Sequence, residues 1–305
     1  MRTGKLSRRA ALAGGGATLL LPGLGWAQST DREMEGGIGG TGIVGVLTDF
    51  GSLIVGGQYV GTDAGTQYTD GFGALQKSNL RIGDSLTVEA SGPQSDLVAR
   101  RVHVTHPLVG RIASGSGQTF VVNGVSVTLN GSNGGFAVGD RVAVAGLWRG
   151  TRVIASGLSP ARSNFDLVSG DVIRGPNGRQ IGGIATRGGG LHRARIGSFV
   201  TAIGQFDQDR PRFDAQRVRI ERFTGAAGPL ERLAVEGYLE QSSDAPGYRV
   251  SGLGHSFERN LQLAQYVNER VLFTGGYTGR FAANGAVILP ESFAARRRIL
   301  RDLSR

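Results

Sequence analysis

The chain has 305 residues, 52 of them glycine and none cysteine, and a formal net charge of +10. Glycine is roughly one residue in six against a usual ~7 %, without the G-x-y period of collagen. Lack of cysteine excludes a disulfide framework, a thiolate metal site and a lipidated-cysteine anchor.

Residues 1–27 read as an export signal. Ser7-Arg8-Arg9-Ala10-Ala11-Leu12 resembles the twin-arginine motif, an apolar run follows over 10–25, and Gly25-Trp26-Ala27 offers small residues for cleavage before Gln28. An ordinary general-secretion signal is the alternative. The run is shorter than the ~20 apolar residues that span a bilayer, and no later stretch qualifies. Either route predicts a periplasmic or secreted protein without a transmembrane segment. Cleavage removes Arg2, Lys5, Arg8 and Arg9 but no acid, leaving 30 bases against 24 acids. Only one lysine, Lys77, then remains, so the positive charge is arginine.

Residues 28–41 form a Gly-rich lead-in, after which one phrase recurs four times. It reads Ile82-Gly83-Asp84-Ser85-Leu86, Val138-Gly139-Asp140-Arg141-Val142, Ile196-Gly197-Ser198-Phe199-Val200 and Val267-Asn268-Glu269-Arg270-Val271. Each copy is a turn followed by a strand whose apolar residues alternate. Upstream of each lies a Val-Gly-like start: Val44-Gly45, Val109-Gly110, Val168-Ser169-Gly170 and Val235-Glu236-Gly237. A second strand follows that start, with Asn123-Gly124 as its hairpin signal in the second copy and Gly56-Gly57 in the first. Pro176-Asn177-Gly178 and Ala245-Pro246-Gly247 are the candidate turns of copies three and four. Closing strands are expected over 98–104, 153–158, 213–220 and 286–289.

These spacings predict an all-β chain of tandem small antiparallel, OB-like barrels over residues 42–107, 108–162, 163–224 and 230–293. A short basic C-terminal helix covers 294–305, with Ser292 as N-cap and its arginines toward the negative end of the dipole. A unit of about 60 residues buries only ~60 % of its unfolded surface, so the barrels must pack on one another.

The segment from Gly36-Gly37-Ile38-Gly39-Gly40-Thr41-Gly42 through Phe50-Gly51-Ser52 to Val55-Gly56-Gly57 resembles the opening of secreted bacterial proteins that carry repeats of domain-of-unknown-function family 5666. Members typically end the next strand in Val-Asn-Gly; copy one has Val55-Gly56-Gly57, whereas copy two keeps Val122-Asn123-Gly124. The resemblance implies small all-β repeats and supplies no catalytic residue.

Chemistry-bearing motifs are sparse. The Gly36–Gly42 string opens a strand instead of a helix, so it lacks the helix amides that cradle phosphate. His103, His106, His192 and His255 are too scattered for the three or four ligands of a zinc site, and no cofactor is expected. No Gly-x-Ser-x-Gly elbow opens a helix. The reading is therefore a non-enzymatic envelope module that binds or scaffolds, partnered by an envelope protein or an anionic polysaccharide or lipid surface. The export signal argues against nucleic acid. Candidate ligand-binding residues are Trp148, Arg149 and Arg152 around the mature chain's one tryptophan, and Arg193, Arg195, Arg217 and Arg219 in the Arg-rich third unit. The alternative is a glycan-active envelope enzyme whose carboxylates converge between units.

Overall fold

The computed structural model describes residues 39–130, 134–176, 178–220, 222–242, 247–251 and 263–303. Residues 1–27, read above as an export signal, and His255 lie outside them. Alternation of buried and exposed residues builds strands throughout, and turn glycines fold those strands into rings.

The first ring uses β1 (Gly40–Asp49), β2 (Leu53–Val55), β3 (Gln58–Gly61), β6 (Ser85–Ser91) and β7 (Leu97–Val104). Between β3 and β6 an excursion carries β4 (Gln67–Asp70) and β5 (Gly73–Ala74). β1 pairs with β2, β2 with β3, β3 in parallel with β7, β7 with β6, and β6 again with β1, which closes a five-stranded barrel. The second ring repeats the order with β8 (Leu108–Ser116), β9 (Thr119–Val122), β10 (Val125–Leu129), β11 (Arg141–Arg149) and β12 (Arg152–Pro160). So does a third, made of β13 (Asp166–Gly175), β14 (Gly178–Ile181), β15 (Ile184–Gly188), β16 (Phe199–Asp207) and β17 (Arg212–Ile220). The fourth set keeps four of the five places, β18 (Leu230–Gln241), β19 (Tyr248–Val250), β20 (Arg270–Tyr277) and β21 (Phe281–Ile288), with the same pairings. Its third place falls outside the described residues.

The recurring phrase has one backbone geometry in all four sets. Gly83, Gly139, Gly197 and Asn268 have φ of 98°, 97°, 83° and 68°. Their amides donate to the carbonyls of Leu47, Ile112, Val172 and Leu239 at 2.9, 2.9, 2.7 and 2.8 Å. The amides of those same four residues donate back to Asp84, Asp140, Ser198 and Glu269. Glycine suits the left-handed region, and asparagine is among the few other residues that enter it at small cost. Seven residues further on, a β-bulge recurs at Ala90, Gly146, Gly204 and Gly275.

Two sequence expectations need correction. The hairpin turn equivalent to Asn123-Gly124 in the third ring is Gly182-Gly183, with φ of 56° and 90°; the turn holding Pro176 instead joins β13 to β14. The fourth closing strand starts at Phe281, not 286, because its backbone runs extended through Asn284-Gly285 against β20.

Rings 1 and 4 join through a parallel pairing of their first strands, from Gly40↔Leu230 to Val44↔Val235. Rings 2 and 3 join through an antiparallel contact of theirs, Leu167↔Val109 and Val168↔Leu108. Ser85 Oγ of ring 1 donates to the Gly146 carbonyl of ring 2 (2.7 Å) and accepts from the Gly146 amide (3.1 Å). One hydrophobic core spans rings 2 and 3, including Val122, Trp148, Val168 and Phe213. Where the four sets meet, a cavity of about 30 Å³ is lined by Gly45, Ser85, Gly146, Ser169 and Glu236.

α1 (Phe293–Leu303) closes the chain by returning to ring 1. Arg297 and Arg301 both reach Asp49 Oδ2 at 2.7 Å, which holds the Asp49 carboxyl at a pKa of about 2. Arg296 enters the interior beside Glu236, which is also paired with Arg270 at 2.7 Å and accepts the Val46 amide of ring 1 at 2.8 Å. All three ionic side chains are 3 % exposed or less.

Stability of variants at three sites follows, each measured by urea unfolding. Asn268→Gly should leave stability unchanged or raise it, while Asn268→Ala should cost about 1–2 kcal/mol for a left-handed backbone. Glu236→Gln strands two buried guanidinium groups and should cost about 3–5 kcal/mol. Asp63→Asn, at an exposed pair, should cost under ~1 kcal/mol.

Candidate functional site

The seven candidate residues separate into two places. Trp148, Arg149 and Arg152 sit at the tip of the β11–β12 hairpin, which ring 2 inserts between rings 3 and 4. Trp148 is 4 % exposed and its indole donates to the Ser169 carbonyl at 2.7 Å. Its ring lies over Gly182, where a Cβ would come within 2.3 Å of the indole. No stacking face is open to a ligand, because the indole closes the contact between rings 2 and 3. The Arg149 guanidinium stands over the Tyr238 ring at 5.2 Å, and Arg152 is exposed beside the turn.

Arg193, Arg195, Arg217 and Arg219 belong to ring 3 and are exposed. Phe213 and Ala215 of β17 face the core. The bulge opposite Gly204 then shifts the alternation, so Gln216, Arg217 and Arg219 all point outward while Val218 turns in. A 3-10 turn, Leu191–Arg193, carries Arg193, and the glycine loop before it is tied to β17 by Val218 N donating to Gly189 O at 3.1 Å. Among the described residues no carboxylate lies within ion-pair distance of Arg193, Arg195, Arg217 or Arg219, whereas Arg187 and Arg212 share Asp214. Partial burial, then the like charges of Arg101 and Arg217, hold the Arg219 guanidinium below its ordinary pKa. Ring 3 carries ten arginines against six acids over residues 163–224.

Arg219 also anchors this face to ring 1. Its guanidinium donates to His103 Nε2 at 3.1 Å, so His103 carries its proton on Nδ1 and donates to Thr69 Oγ1 at 2.8 Å. Burial, with several neighbouring arginines, keeps this imidazole neutral far below its usual pKa. Further along, Glu89 accepts Thr224 N, Thr224 Oγ1 and Ala226 N, each at 2.8 Å, and pairs with Arg101 at 3.0 Å. The segment leaving ring 3 is thereby bound to ring 1 instead of swinging as a linker.

A cleft of about 150 Å³ between rings 1 and 2 holds a constellation that local motifs did not announce: Asp70, Asp84, His106, Arg81 and Arg162. Asp70 accepts the amides of Phe72 and Gly73 and pairs with Arg162 at 2.9 Å. Asp84 accepts the Arg81 amide at 2.7 Å, as Asp140 accepts the Ala137 amide at the equivalent turn of ring 2. Both carboxylates therefore serve turns. Burial raises the Asp84 pKa to about 6 and lowers that of His106. The only signal of this cleft in the sequence is the Gly-Asp of the phrase itself. Among the described residues no group of three or more His, Cys, Asp or Glu is placed to hold a metal ion, and no helix is long and apolar enough to cross a membrane.

Closed five-stranded rings of this kind define a class of small β repeat domains. A family model described as a domain of unknown function, DUF5666, matches residues 41–103 and 109–156, segments that fall on rings 1 and 2. No curated protein and no solved structure matches the chain. Rings 3 and 4 lie outside the matched segments yet keep the strand order, the left-handed turn and the bulge.

Asp84 gives this region a pH signature. Its folded pKa lies above the unfolded ~3.9, so its contribution to stability is full below pH 4 and is lost as pH rises through 6. Asp84→Asn should therefore raise stability at pH 7.5 by about 2–3 kcal/mol and leave it little changed at pH 4. Subtracting the two unfolding profiles between pH 4 and 8 isolates this from the buried histidines, which act in the opposite sense.

Proposed function

We propose that the protein is an exported, non-enzymatic envelope module whose packed rings form a rigid scaffold, with ring 3 presenting a cationic face to an anionic polysaccharide. The observation that carries this reading is a contrast between two arginine clusters. Of the C-terminal arginines, Arg297 and Arg301 pair with Asp49 and Arg296 with Glu236. In ring 3, Arg193, Arg195 and Arg217 are exposed on a strand and a tied-down turn, with no carboxylate within reach among the described residues. Guanidinium groups recognise carboxylate or sulfate groups bidentately, and carrying them on a strand and a tied-down turn limits the backbone entropy lost on binding. Export through the predicted signal would place that face against envelope polymers.

A glycan-active enzyme is the second reading, favoured by Asp70 and Asp84 lining one cleft. Against it, both carboxylates accept turn amides, and Asp70 is also neutralised by Arg162.

Retention of the mature chain on immobilised polygalacturonate tests the proposal. Retention should fall steeply between 50 and about 300 mM salt, as expected when exposed charges are screened. Reversing the charge with Arg193→Glu, Arg195→Glu and Arg217→Glu should abolish retention without changing the unfolding midpoint. Vesicles containing anionic lipid serve as the second arm; binding to vesicles and not to polygalacturonate, or full retention of the triple variant, overturns it.

A further inference from the structure

The seam between rings 1 and 4 carries a second surface of different chemistry. Beside the parallel β1–β18 pairing runs an open groove of about 490 Å³, within the ~300–1,000 Å³ range of small-molecule sites. Its polar side chains are the amides and hydroxyls of Gln58, Gln94, Asn284, Thr41 and Thr274, with one acid, Glu231, and one base, Arg232; Leu233 and Ala234 add an apolar part. Arg232 donates to Gln94 Oε1 at 2.6 Å, which leaves the Gln94 amide nitrogen as a donor. The side chains of Gln58 and Asn284 make no hydrogen bond to any described residue, their backbones being part of β3 and β21. Opposite unit charges cancel, so this groove lacks the cationic character of ring 3.

The floor contains an anomaly that the fold does not explain. Gly276 lies within β20, where glycine weakens a strand. Its φ is not positive, and a Cβ built on it meets no atom within 4 Å. The equivalent residue, one past the bulge, is Ser91 in ring 1, Leu147 in ring 2 and Gln205 in ring 3. Only the fourth set lacks a side chain there, and what the missing side chain leaves open is the groove. Glycine in a strand interior marks a bulge, a tight bend or a close approach by a ligand or another backbone, and the bulge here falls one residue earlier, at Gly275.

We propose that this groove binds a neutral oligosaccharide of two or three rings. Amides and hydroxyls that both donate and accept match the hydroxyl pattern of a sugar, and the bare backbone at Gly276 lets a ring lie close. An extended peptide fits less well. β18 already pairs with β1 and β20, and β20 with β18 and β21, so neither of these two strands offers a free edge for main-chain pairing. The site is independent of the arginine face in ring and in charge.

Amide NMR of the mature chain titrated with maltotriose and with chitotriose, each to about 10 mM, tests the assignment in the weak range usual for small polar ligands. At least one trisaccharide should give saturable shifts confined to residues around Gln58, Gln94, Arg232, Thr274 and Asn284, insensitive to 300 mM salt, a concentration at which exposed charges are screened beyond about 6 Å. Gly276→Gln fills the groove from an unstrained position, so it should weaken binding at least about tenfold while the unfolding midpoint stays unchanged or rises. Asn284→Ala should weaken it too, whereas the triple arginine reversal in ring 3 should leave it intact. No saturable binding of either sugar, shifts located elsewhere, or equal affinity in Gly276→Gln overturns the proposal.

Discussion

Everything in this fold depends on a short backbone clamp repeated four times. A residue in the left-handed region donates its amide to the first strand of its set, and the same first-strand residue donates back across the turn. Those paired bonds fix where the fourth strand begins relative to the first, and with that the ring can close. A one-residue slip would turn the apolar face of the strand to solvent. The clamp therefore sets register as well as connectivity. It requires one residue that tolerates positive φ, and three sets use glycine for it while the fourth uses Asn268.

Closing small rings leaves each with little core, and the packing between rings supplies the rest. Apolar contact does so between rings 2 and 3, whose cores are continuous through Trp148. Between rings 1 and 4 the join is a backbone pairing reinforced by ions: Glu236 of β18 holds an amide of β1 and two arginines, one of them from α1. A buried carboxylate is costly unless its lone pairs are filled, and here an amide and two guanidinium groups surround it. The C-terminal helix thus returns to the start of the described chain, bound by Arg297 and Arg301 to Asp49, and ties the first ring to the fourth set.

The architecture was legible because its determinants are local. Period-two alternation, Asn123-Gly124 and the turn–strand phrase each speak for themselves in sequence. Where legibility failed, a local signal competed with a better one. Pro176-Asn177-Gly178 drew attention from Gly182-Gly183, although the same Gly-Gly had marked the turn in ring 1. Trp148 has the composition of a ligand platform, but exposure is not a local property; it is buried against ring 3, which sequence cannot bring to it. Of the seven residues singled out, the ring 3 arginines stayed at the surface because the bulge at Gly204 directs Arg217 and Arg219 outward. That bulge was not read from the sequence. The Asp70–Asp84 cleft and the Gln58–Asn284 groove depend on residues far apart in the chain, and no spacing rule reaches them.

A duplicated unit offers a control that most folds lack. Positions that stay equivalent in all sets, such as the turn at Gly83, Gly139, Gly197 and Asn268, are held by the demands of the ring. Positions where one set departs are released from those demands and free to serve something else. The third ring departs by accumulating arginine on an outward strand. The fourth departs by giving up a side chain that its three siblings keep, in a strand where keeping one would be easier. Neither departure helps a barrel close, since the rings that lack them close equally well. Differences among the repeats, more than the features they share, are therefore where we place the two proposed binding faces.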